Sequence, residues 1–67
     1  MLHLRVNGKA MDVEGVQNLS ELLAHFRLEG KIVVIEHNGE IIDRTCYDST
    51  LLADGDTIEI VHFVGGG

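Results

Sequence analysis

Two Asn-Gly pairs, Asn7-Gly8 and Asn38-Gly39, limit the folds open to this chain more than any other feature. An Asn-Gly pair between apolar runs supplies the two positive-φ residues of a type I′ turn, whose twist matches that of the strands it joins. Ahead of the first pair, Leu2, Leu4 and Val6 alternate with His3 and Arg5, as in a strand with one buried face. The turn then sets Leu4 opposite Met11 and Leu2 opposite Val13, so both strands turn their apolar residues to one side. Ahead of the second pair, Lys31–Glu36 is β-branched and nearly all apolar, which predicts an inner strand rather than an edge. It returns as the short strand Glu40–Ile42.

A helix separates the two hairpins. Residues 14–17 read as a connection and Asn18 as the N-cap, with Glu21 placed to complete a capping box on the Asn18 amide. Leu19, Leu22, Leu23 and Phe26 follow the i, i+3, i+4, i+7 spacing of one apolar stripe, and Gly30 is the expected stop. Truncating Phe26, the largest residue on that stripe, to alanine is expected to cost about 3–5 kcal/mol. Residues 43–53 have weak periodicity and read as a loop with one helical turn. Asp54-Gly55-Asp56 reads as a tight turn into a last strand, where Ile58 and Ile60 alternate with Thr57 and Glu59. One helix stripe and one sheet face make a two-layer α+β sandwich. The right-handed crossover rule lays the helix across the sheet and leaves the last strand to insert beside the first, parallel to it. That arrangement is the β-grasp, or ubiquitin-like, topology: a mixed sheet of about five strands on one helix, in one domain spanning 1–67.

The last strand runs without a turn through Val61, Phe63 and Val64 into Gly65-Gly66-Gly67. Three terminal glycines arise by chance about once in 3,000 chains at average glycine usage. Extended, residues 64–67 reach about 13 Å beyond the body. Lacking β-carbons, they fit a slot closed to any other residue. A free carboxylate on such a tip is suited to delivery into another protein's active site. By period-two alternation Val61 and Phe63 face away from the core, which marks them as partner-surface candidates. Asp54 and Asp56 are candidates for steering approach to a basic surface.

At 67 residues the chain has no room for an enclosed pocket, and a net charge of −6 argues against nucleic acid or an anionic membrane as partner. One cysteine, Cys46, forms no internal disulfide, as expected in a reducing cytoplasm. The start is too short and polar for a secretory leader, and no apolar run spans a bilayer. No catalytic group or metal set is legible. His3, His25, His37 and His62 lack ligand spacing and read as ordinary surface residues, and Cys46 as a loop or semi-buried cysteine. A carboxylate is itself a poor acyl donor. Activation takes a mixed anhydride with AMP, made from ATP and Mg²⁺, and a sulfur nucleophile then displaces AMP at the unshielded glycine carbonyl. Both the ATP site and the nucleophile must come from partners.

The first Asn-Gly hairpin, Leu19-Ser-Glu-Leu-Leu23, Glu36-His-Asn-Gly-Glu-Ile-Ile42, Leu52-Ala-Asp-Gly-Asp-Thr-Ile-Glu-Ile-Val61 and the glycine end together resemble the ThiS family. These are the β-grasp sulfur carriers of thiamine biosynthesis, and the resemblance covers essentially the whole chain. It implies that an E1-like adenylating enzyme (ThiF-type) activates the Gly67 carboxylate and that a sulfur donor protein supplies the sulfur of a thiocarboxylate. A thiazole synthase (ThiG-type) then accepts that sulfur. The chain would be a co-substrate of these enzymes, not an enzyme. It departs from the family pattern at Asp43-Arg44, where a proline usually precedes the arginine, and at Tyr47, often a tryptophan. Two alternatives stay open: the small subunit of molybdopterin synthase, and a ubiquitin-like interaction or conjugation module.

Overall fold

Both Asn-Gly pairs turn as their sequence requires. In the computed structural model, which describes residues 1–63, Asn7 and Gly8 have φ of 50° and 82°, and Asn38 and Gly39 have 51° and 85°. The first pair joins β1 (Leu2–Val6) to β2 (Lys9–Val13), with Leu4 opposite Met11 and Leu2 opposite Val13. The second joins β3 (Val33–His37) to β4 (Glu40–Ile42). The last strand, β5 (Thr57–His62), lies between the hairpins, parallel to β1 and antiparallel to β3. The sheet order is β2-β1-β5-β3-β4, so β3 is an inner strand as expected. This five-stranded mixed sheet on one helix is the β-grasp arrangement.

β5 has no hairpin of its own, and the two turn asparagines hold it in place. Asn7 Oδ1 accepts the Ile60 N–H at 2.8 Å, and its Nδ2 donates to the Ile60 carbonyl at 3.2 Å. Asn38 Oδ1 accepts the Thr57 N–H at 2.8 Å, while the Asn38 N–H donates to the Thr57 carbonyl at 2.8 Å. Each side-chain amide extends the ladder where the backbone has turned away. Glycine would satisfy the turn equally well but would leave the Ile60 N–H and carbonyl and the Thr57 N–H without these side-chain partners.

The helix α1 (Leu19–His25) starts as the sequence indicates and stops sooner. Asn18 Oδ1 accepts the Glu21 N–H at 2.8 Å. Glu21 reaches back one residue further than a capping box requires, accepting the Gln17 N–H at 2.6 Å rather than that of Asn18. At the other end the stop is Arg27, not Gly30. Arg27 takes a left-handed φ of 59°, the Leu28 N–H donates to the Leu23 carbonyl at 2.8 Å, and the Arg27 N–H donates to that of Ala24 at 3.0 Å. This is a Schellman motif with arginine in the usual glycine position. The left-handed residue costs about 1–2 kcal/mol. It folds Leu28 back against the core, where Leu23 is buried. Gly30, with φ of 77°, serves the next turn, closed by the Lys31 N–H donating to the Leu28 carbonyl.

The early stop changes the core. Leu19, Leu22, Ile35 and Ile58 are wholly buried, but Phe26 caps the helix and is only half-buried. Val16 and Tyr47 join the core from connections rather than from regular elements. Tyr47 follows a 3₁₀ turn at Arg44–Cys46, and burial, aided by the Asp43 charge, pushes its phenol above the ordinary value.

Candidate functional site

The pleat of β5 sorts its residues as period-two alternation demands. Ile58 and Ile60 are buried under the helix, whereas Val61 is 53% and Phe63 51% exposed on the opposite face. Neighbouring residues extend that face. Val34 lies opposite Val61, and the Phe63 N–H donates to the Ile32 carbonyl at 3.0 Å. Ile41, across from Glu36, is diagonal to Val34 on the same side. Ile32, Val34, Ile41, Val61 and Phe63 thus form an exposed apolar patch on a sheet face that also carries the cross-strand pair Glu36 and Glu59. Sequence reasoning found Val61 and Phe63 but missed the other three. In Ile32-Val-Val-Ile35 every residue is apolar, so the pattern itself does not say which side is buried. The signal lay in the register instead: with Ile35 inward, Val34 must be outward. The remaining tail candidates, Val64, Gly65, Gly66 and Gly67, lie outside the described residues.

The acidic turn lies at the other end of β5. Phe63 lies seven positions after Asp56, about 23 Å along the chain. Asp54 is exposed and accepts the His3 N–H at 2.8 Å. Asp56, expected to steer a partner, has no free carboxylate to do so. Its side chain is 14% exposed, and it accepts from His37 Nε2 at 2.7 Å, Asn38 Nδ2 at 3.1 Å and the Ala53 N–H at 2.9 Å. His37, expected on the surface, is likewise half-buried, because the β3–β4 turn brings it against Asp56. Burial pushes the Asp56 carboxyl upward, but the hydrogen bonds from His37, Ala53 and Asn38 outweigh it and hold the group below the usual carboxylate range. A depressed folded-state value stabilises the fold above the ordinary carboxylate pKa, and that contribution is lost as pH falls through the lowered one. Asp56→Ala should therefore cost about 0.5–1.5 kcal/mol at pH 7, the net range for hydrogen bonds whose donors are exposed or part-buried. Urea melts at pH 7 and pH 3 check this, since the gap between variant and parent should narrow in acid.

His3 Nδ1 donates to the Asp12 carboxylate on the exposed face of the first hairpin, and that bond with the Asp12 charge raises the imidazole above its ordinary value. Cys46 is exposed on the 3₁₀ turn. Among the described residues no three side chains are grouped to hold a metal ion, and no helix is long and apolar enough to cross a membrane. What the described residues offer chemically is a surface beside the exit of β5.

The ThiS family model matches residues 4–67. Over 67 residues the chain is 49% identical to the sulfur carrier protein ThiS of Bacillus subtilis, covering 96% of this chain and 98% of that protein. It is also 32% identical over 66 residues to a thiazole synthase of Paramagnetospirillum magneticum, covering 98% of this chain and 20% of that protein. The crystal structure of the thiamine biosynthesis protein ThiS from Geobacter metallireducens matches with a TM-score of 0.81 at 39% identity, covering 98% of this chain and all of that one.

Proposed function

The chain belongs to the ThiS family, and from that membership we propose that Gly67 is the residue whose carboxylate carries the sulfur. The protein is a sulfur carrier of thiamine (thiazole) biosynthesis and a non-catalytic one. The observation that carries the Gly67 assignment is that the family match runs to residue 67. An E1-like, ThiF-type partner holding ATP and Mg²⁺ adenylates this carboxylate. A sulfur nucleophile from the donor protein displaces AMP, and the resulting thiocarboxylate passes sulfur to a ThiG-type thiazole synthase. Residues 64–67 enter the partners' active sites, where the absent side chains leave the carbonyl open to attack. Support for a lasting association with the synthase comes from the relative named thiazole synthase, of which a stretch like this chain makes up about a fifth. The lone Cys46 suits a cytoplasmic setting.

Intact-mass analysis of protein co-expressed with the activating enzyme tests the assignment. A gain equal to one oxygen-for-sulfur exchange, mapped to the C-terminal peptide, is expected. An unchanged mass, or a covalent protein adduct instead, would overturn it.

Val61 and Phe63, with Ile32, Val34 and Ile41 around them, anchor the activating enzyme in this reading, and Asp54 adds a distant steering charge. Phe63→Ala should leave the melting transition nearly intact, because the ring is half exposed. It should weaken binding by at least about 1 kcal/mol, as loss of an interface anchor does. Calorimetric titration of both proteins against the activating enzyme decides. Equal affinities would remove Phe63 from the interface.

A further inference from the structure

The helix is too short for its sheet. Seven residues span about 10 Å at 1.5 Å each, whereas strands of five or six residues run about 17–20 Å. Where the Schellman turn ends the helix, the sheet continues uncovered, and a groove of about 460 Å³ opens there on the helix side. Its floor is Met11, Phe26, Leu28 and Ile60, and its rim carries Lys9 and His62. Met11, Phe26 and Leu28 stay only partly buried as a result.

Two properties identify an occupant. The first is charge. The chain carries −6 overall, yet among the described residues no carboxylate lines this groove. Lys9 forms no ion pair among them either. A docked group gains from an apolar body and an adjacent negative charge. The second is position. His62 lines the groove and Phe63, the next residue, begins the apolar patch on the other face. The end of β5 therefore has apolar surface on both sides.

We propose that the groove seats a segment of the sulfur-accepting enzyme that presents an apolar side chain beside a carboxylate, and that the opposite face, with Phe63, is left to the activating enzyme. The inference rests on the sulfur-carrier reading above. Two partners must take the same tail in succession. Separate docking faces let the second engage the body without competing for the first partner's patch.

The test compares Lys9→Glu and His62→Glu with Phe63→Ala in calorimetric titrations against purified thiazole synthase and against the activating enzyme. Lys9 is exposed, so its variant should melt like the parent. Placing a like charge against the partner's carboxylate should raise the Kd for the synthase at least about tenfold, more at low salt, with little change for the activating enzyme. Phe63→Ala should show the reverse pattern. Titrating the ¹⁵N-labelled parent with the synthase should shift the amides of Lys9, Leu28 and His62. Unchanged synthase binding in both charge variants, or those three amides unmoved, would overturn the proposal. So would loss of a concentration-dependent dimer as the sole effect of Lys9→Glu. Failure of the carrier reading would be seen separately, as a parent protein that forms no thiocarboxylate.

Discussion

Removing Gly66 and Gly67 should abolish sulfur transfer while changing stability by less than about 0.5 kcal/mol, the scale of peripheral changes. Glycine has no side chain to bury, and among the described residues the largest fully buried side chains are those of Leu19, Leu22, Ile35, Ile58 and Val13. The truncated chain still ends in a carboxylate, on Gly65, but roughly 7 Å short of the reach of the parent at 3.3–3.6 Å per residue. Misplacement by far less than that removes the near-attack geometry. Urea denaturation paired with intact-mass detection of the thiocarboxylate separates the two effects. A truncated protein that still gains sulfur would place the reactive group elsewhere.

Leu22→Ala should have the largest effect on the fold. Leu22 is wholly buried at the centre of the helix stripe, and emptying such a site costs about 2–5 kcal/mol. A core of this size rarely supplies more than about 3–5 kcal/mol in total, so the variant should be largely unfolded at 37 °C. Phe26→Ala should cost less than Leu22→Ala, despite the larger side chain. Phe26 is half-buried at the groove, so its removal strips less surface from the core and water fills part of the space. Thermal melts of both variants rank the two sites. A Phe26 variant as damaged as the Leu22 one would mean that the groove is closed over the ring in solution.

The family relationship and the local geometry bear on different parts of the chain. The match over residues 4–67 gives the family, from which the Gly67 site is proposed. The described residues contribute apolar surface on each side of β5.

The amino-acid sequence by itself determined what depends on neighbours in the chain. Asn7-Gly8 and Asn38-Gly39 set the turns, and a two-residue turn leaves one register, so Leu4 meets Met11 without further information. Asn18 capped the helix through Glu21, three residues away. Alternation in β5 put Ile58 and Ile60 inward and Phe63 outward. Only the tertiary structure decided matters that join distant segments. Asn7 pairs with Ile60 across 53 positions, and His37 with Asp56 across 19. The second pair turns a supposed steering charge into an internal acceptor. The helix stop belongs to the same class. Gly30 had the better local propensity, but Arg27 takes the left-handed position because Leu28 must return to the core. The left-handed arginine costs about 1–2 kcal/mol, offset by the partial burial of Leu28 together with the two helix carbonyls that the turn caps.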